Sequence, residues 1–164
     1  SIARIPYASI GVMHLGISRT QVDQDVNGFG VLIPPHLSKG LLGVVFSSSS
    51  FPERAPAEKH LFTCFSGGAL FPRFAEVDDE DIRNTLLKEI SNHLGLREAP
   101  EILSARFYRN AIPNYPLGHR RSLSPRMENL RLRHPKIQLV TQFVEGIGVP
   151  DRIRLAEEAA TNLL

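Results

Sequence analysis

Residues Gly28 to Gly68, GFGVLIPPHLSKGLLGVVFSSSSFPERAPAEKHLFTCFSGG, decide the fold. Phe29 to Ile33 carries strand-forming side chains and is stopped by Pro34-Pro35. Leu41 to Ser50 reads as the next strand, ending in four serines, and FPERAPAEKH is a proline-broken loop. Leu61 to Ser66 is a further strand, closed by Gly67-Gly68. On the N-terminal side, Ile5 to Ser18 (IPYASIGVMHLGIS) reads as a long strand bent at a glycine. Between it and Phe29 lies a polar stretch with Asn27-Gly28, the strongest hairpin signal in the chain. Parallel neighbours would need helical crossovers, so strands joined this tightly predict an antiparallel sheet.

Toward the C-terminus the period changes. Asp78 to Leu94 predicts a helix, with Ile82, Leu86, Leu87, Ile90 and Leu94 on the face that covers the sheet. Asp78 is the expected cap, Asp81 its capping-box partner and Gly95 the stop. Ile102 to Phe107 predicts a fifth strand, and YRNAIPNYPLGH after it an irregular loop. A short helix is expected from Ser124-Pro125 to about Leu132. Ile137 to Leu164 then predicts an apolar strand to Val144, a turn with Gly146 and Gly148, and a helix begun by Pro150 and Asp151. Ile153, Ala156, Ala160, Leu163 and Leu164 give that helix a narrow apolar stripe. The fold class is α+β: an antiparallel sheet of about five strands covered by helices, plus a C-terminal strand-turn-helix.

A strand, a glycine turn and a helix N-terminus together suit an electron-rich ligand group, and they also suit a plain structural connection. Gly146-x-Gly148-x-x-Asp151 is not a dinucleotide fingerprint, because a carboxylate stands at its third position.

Composition bounds the rest. The chain has 164 residues, 42% hydrophobic, enough for one globular core. Nineteen basic against seventeen acidic residues do not point to nucleic acid. The single cysteine, Cys64, excludes an internal disulfide and, within LFTCFSGG, reads as a buried, inert thiol. No apolar run approaches the ~18 residues that span a bilayer, and the start has no signal-peptide pattern. SIARIP supplies no initiator methionine, as expected of a fragment. The six histidines show no metal-ligand spacing, and no metal site is expected. His93 falls at a helix C-terminus, where the dipole favours a cation. Ser47 to Ser50 lack a nucleophile elbow and read as a polar strand end. His119, Arg120, Arg121, Arg126, Arg131, Arg133 and His134 form the strongest charge feature, a solvated helix face or a patch for phosphate, carboxylate or anionic lipid.

Six segments in order, IPYASIGVMHLG, GFGVLIP, LLGVVFSSSSFPERAP, LFTCFSGGA, AIPNYPLGH and EGIGVPDRI, resemble the C-terminal half of the oxygen-dependent, FAD-containing protoporphyrinogen oxidases of the flavin amine oxidase superfamily. The resemblance implies oxidation of protoporphyrinogen IX to protoporphyrin IX in haem synthesis, with FAD as cofactor and oxygen as acceptor. It assigns no side chain as a catalytic acid or base. It implies flavin contacts at Ile147, Gly148 and Val149, with Tyr108 where the family has a tryptophan and Gln142 where it has an asparagine. Leu32 and Phe46 correspond to positions lining the porphyrin cavity. Residues 1–118 are expected to be substrate-binding-like, and 119–164 to contribute to the FAD-binding domain, whose N-terminal Rossmann part is expected to be absent.

The resemblance also implies a porphyrinogen substrate as partner, a cytoplasmic location, peripheral membrane contact and a homo-oligomer. Val140-Thr141-Gln142 replaces an Ala-Gly-Asn triplet, Arg152 replaces a cysteine, and Leu155-Ala156 replaces a Ser-Gly pair, each adding bulk. With the Rossmann part expected to be absent, the isolated chain is expected to be inactive. The alternatives are a non-enzymatic module holding a porphyrin or other planar ligand, and an interaction domain docking through the arginine cluster.

Overall fold

Alternation of apolar side chains along the strands builds the sheet face, and the pairing register aligns those side chains in rows. The computed structural model describes residues 5–145 and 147–162. Its strands are β1 (Tyr7–Ser18), β2 (Gly30–Leu32), β3 (Leu41–Phe46), β4 (Lys59–Gly67) and β5 (Glu101–Pro113), in the order β2-β3-β4-β1-β5. β1 runs antiparallel to β4, placing Met13 opposite Cys64, Leu15 opposite Phe62 and Ile17 opposite His60. β3 pairs antiparallel with the other edge of β4, placing Val44 opposite Cys64 and Phe46 opposite Phe62. Directly paired residues point to the same face. The fully buried Met13, Leu15, Ile17, Phe62 and Cys64 are therefore one continuous apolar surface.

Helix α2 (Asp79–Leu94) covers that surface with Ile82, Leu86, Ile90 and Leu94, spaced to fall on one side of the helix. Removing each such side chain from water contributes about 1.5–3 kcal/mol. Gly95 ends the helix in the left-handed region at φ 61°, where a Cβ would be strained. The N-terminus departs from expectation, because Asp78 is the N-cap residue but makes no side-chain cap and so no capping box with Asp81. The neighbouring Asp79 instead accepts from Arg109 Nη2 at 2.6 Å. Farther along α2, Glu89 accepts from Ser38 Oγ at 3.2 Å, from Leu41 N at 3.1 Å and from Lys39 N, tying the start of β3 to the helix.

Several local expectations are overruled by longer-range contacts. Asn27-Gly28 does not close a hairpin: β1 lies between β4 and β5, and β2 pairs with β3. Asn27 N donates to Asp25 Oδ1 at 2.8 Å, a local turn, and Val26 beside it is buried in the core. Ser47 to Ser50 is no strand end but the single helical turn α1. Its hydroxyls have their own partners: Ser47 with Thr63 Oγ1 at 2.7 Å, Ser48 accepting from Leu61 N at 3.0 Å, and Ser49 donating to Val26 O at 2.7 Å. β5 runs on to Pro113 through the expected loop, with Asn110 at φ 53°.

Contacts divide the chain into two units, Ala8–Ala111 and Ser1–Tyr7 with Ile112–Leu164. The second unit carries α3 (His119–Arg133), α4 (Gln142–Glu145) and α5 (Val149–Thr161). α3 begins before the expected Ser124 and runs through Pro125, with Ser124 Oγ donating to Arg120 O at 2.9 Å. The expected strand from Ile137 to Val144 is not formed. Residues 137–141 are irregular, and α4 follows. A strand needs a hydrogen-bonding neighbour, and this segment pairs with no strand among the described residues. Side chains take that place: Tyr115 OH donates to Gln142 O, and His119 Nε2 lies 2.7 Å from Phe143 O.

Candidate functional site

In the C-terminal unit the site is built around the start of α5. Pro150 sits in the first turn, Asp151 adds a negative charge there, and Arg154 pairs with Glu158 one turn on at 2.7 Å. The first backbone bond runs from Arg152 N to Gly148 O at 3.1 Å, and no side chain caps the helix. The remaining first-turn N–H groups and the helix dipole form an electropositive end. Gly148 is in ordinary extended geometry, but a Cβ there would lie 2.8 Å from Asp151 Oδ2. A side chain at position 148 would make the Asp151 carboxylate swing aside.

The structure thus places Gly148 at the helix N-cap and Val149 as the first helical residue, with Ile147 before them. Ile147 and Val149 are 52% and 70% exposed, two apolar side chains standing beside an uncapped helix end. That combination is apolar surface next to an electropositive helix end. Gly146 lies outside the described residues, as do Leu163 and Leu164 of the expected stripe; Ile153, Ala156 and Ala160 of that stripe are exposed rather than buried. Gln142 begins α4 and is exposed, its carbonyl held by Tyr115. The rings of Tyr115 and His119 stack at 4.9 Å between centroids. Tyr115 was not singled out from sequence, and His119 was read there only as part of the basic cluster. Their signal lay in AIPNYPLGH, an aromatic and a histidine flanking a helix start.

In the sheet unit, Tyr108 projects from β5 at 54% exposed. Leu32, 88% exposed, is on β2 at the opposite edge of the sheet, so the two are not neighbours. Phe46 is 5% exposed and packs on Phe62 with ring centroids 4.9 Å apart, inside the core. Cys64 is buried, and burial pushes its thiol up to about 12, so it is no nucleophile near neutrality. His93 Nε2 meets Leu37 O at 3.1 Å, a structural tie. Among the described residues no three His, Cys, Asp or Glu side chains are grouped to hold a metal ion.

The whole chain, residues 1–164, matches the sequence profile described as flavin containing amine oxidoreductase. The chain belongs to that family. It is 30% identical over 117 residues to protoporphyrinogen oxidase 2, chloroplastic/mitochondrial, of Arabidopsis thaliana, covering 70% of this chain and 23% of that protein. It is 23% identical over 156 residues to coproporphyrinogen III oxidase of Bacillus subtilis, covering 95% of this chain and 33% of that one. Its fold is similar to a crystal structure assigned as a protoporphyrinogen oxidase from Exiguobacterium, with a TM-score of 0.78 at 16% identity over 98% of this chain and 35% of that one. The chain therefore spans about a third or less of the length of these relatives. For this flavin oxidoreductase family member, the α+β class read from sequence is the class observed.

Proposed function

We propose that these 164 residues are part of an FAD-dependent oxidase of protoporphyrinogen IX, with residues 1–118 facing the substrate and 119–164 completing a flavin-binding domain. The observation that carries this reading is the family match along the whole chain. The chemistry that FAD would supply when bound is that of a hydride acceptor for the reduced macrocycle. The residues of this chain bind and orient. Gly148 keeps the backbone open at the helix start, Ile147 and Val149 offer apolar surface, and the dipole of α5 favours negative charge at its end. Gln142 and Tyr108 are proposed as further cofactor contacts. Leu32 is proposed as a porphyrin contact, with Phe46 supporting the sheet from behind, since little of it reaches the surface.

A porphyrinogen substrate accords with the names of both curated relatives. No helix among the described residues is long and apolar enough to cross a membrane. A cytoplasmic location with peripheral membrane contact, and a homo-oligomer, belong to the same proposal.

Purification of the 164-residue chain with excess FAD tests it. Flavin absorbance well below stoichiometry and no turnover are expected, because the proposed flavin site here is one edge of a larger one. Stoichiometric flavin on the chain alone would overturn the divided-site reading. A second reading, a non-enzymatic holder of a planar ligand, is favoured by the bulk of Val140-Thr141-Gln142 and Arg152. Titration with protoporphyrin separates the two: tight binding with a shifted absorption band by the chain alone supports the holder.

A further inference from the structure

Arg152, in the first turns of α5, presents an unresolved charge. Its Nε, Nη1 and Nη2 atoms are all buried, and none has a hydrogen-bond partner among the described residues. Thr141 Oγ1 is buried and unpartnered in the same way. Both residues line one cavity of about 370 Å³ in the C-terminal unit, whose wall also includes Arg131, Val144, Leu155 and Glu158. Two acids close in sequence are placed against Arg154 rather than Arg152. Glu158 accepts from Arg154 Nη1 at 2.7 Å, and Asp151 lies 3.9 Å from Arg154 Nη2. Arg131 adds a second positive charge to the wall.

A guanidinium removed from water without an anion or hydrogen bonds is strongly unfavourable. Water can satisfy a hydroxyl such as Thr141 but cannot neutralise the charge. An oxyanion can do both, accepting from the guanidinium fork through two oxygens and from the hydroxyl. The cavity has room for a small oxyanion with several waters. We propose that the Arg152–Thr141 cavity is an oxyanion-binding site for a carboxylate or phosphate group. It uses none of the residues proposed above as flavin contacts.

The test is thermal melting of the 164-residue chain at pH 7 in sodium acetate, in sodium phosphate and in sodium chloride of equal ionic strength. Acetate or phosphate should raise the melting temperature by about 2–5 °C over chloride at saturation. A larger rise with acetate identifies a carboxylate site, and a larger rise with phosphate a phosphate site. Arg152→Met, which keeps the stem and removes the charge, should lose the response and melt no lower than the wild type in chloride. Arg152→Lys should keep a smaller response, and it serves if the methionine variant does not fold. Equal melting in all three salts, or a response unchanged in Arg152→Met or in Arg152→Lys, overturns the proposal.

Discussion

The sheet unit and the C-terminal unit spend similar helical patterns differently. α2 and α5 both carry apolar residues at helical spacing, yet α2 buries Ile82, Leu86, Ile90 and Leu94 while α5 has no buried residue among those described. The same contrast holds unit by unit. The sheet unit has a continuous core from Met13 to Leu94, whereas Leu123 is the one buried hydrophobic side chain described in the C-terminal unit. An amphipathic pattern selects a helix, but only a facing surface turns its apolar stripe into stability. The β1–β4 register supplies that surface to α2. Within its own unit α5 meets a thinner surface: Leu155 and Ala159 are half-buried and share a cavity wall with Met127 and Leu130 of α3, and polar ties such as His119 to Phe143 add to the order there.

The largest expected effect separates the units most sharply. Leu15→Ala, at a fully buried position opposite Phe62, should cost about 3–5 kcal/mol in urea unfolding. Ile153→Ala on exposed α5 should stay within about 0.5 kcal/mol. Comparable losses from both would break the comparison.

Cys64 offers a pH test of the same core. Its folded thiol is raised by burial from the ordinary 9.0 to about 12. A raised acid contributes its full stability below the unfolded value, so stability should be flat in this respect below pH 9.0. Between there and about 12 it should fall by about 1.4 kcal/mol per pH unit as the unfolded thiol ionises. Cys64→Ala should lack that slope. An identical alkaline slope in both proteins would show the thiol is not sealed.

Glu89 sharpens how the helix is joined to the sheet. Glu89→Ala leaves the donors at Ser38, Lys39 and Leu41 without their carboxylate, with an expected loss of about 1–3 kcal/mol. Hydrogen exchange should quicken first at Leu41. Unchanged exchange there would mean the carboxylate does not hold the start of β3.

The smallest effect concerns His60, which is buried in the sheet unit, with its ring stacked on Phe62. Burial, and then the nearby Arg19, lower its pKa from 6.5. A lowered histidine favours the neutral folded form, so stability is held above 6.5 and lost as pH falls through the lowered folded value. His60→Leu should flatten the acid limb of the melting curve. An unchanged limb would place the acid sensitivity elsewhere.

Much of the sheet unit was legible because its signals are local and agree with its burial. The apolar alternation of β1 and β4, the α2 stripe and the Gly95 stop each follow from a few neighbouring residues. The C-terminal unit was less legible. Ile137 to Val144 has strand-forming side chains but lacks a partner strand, and the carbonyls of Gln142 and Phe143 are taken by Tyr115 and His119, residues more than twenty positions away. Pro125 read as a helix start because a proline is favoured there, whereas the helix had already begun at His119. Of the proposed site residues, Gly148 and Val149 were placed at a helix start by the adjacent Pro150. The burial of Phe46 against Phe62 follows from a strand register that local alternation does not specify.

Taken alone, the sequence determined an α+β chain, the β1, β3 and β4 strands and the α2 helix of the sheet unit, an inert Cys64 and the resemblance to flavin oxidases. Those rest on periodicity, composition and ordered motifs, which are properties of the chain itself. Tertiary structure decided that β1 pairs with β4 rather than β2, that the serine run coils, and that residues 137–145 form no strand. It also decided that the Arg152 guanidinium is buried without a hydrogen-bond partner among the described residues. Each of these depends on which distant groups share a surface, and pairing, burial and desolvation arise only when the chain has closed on itself.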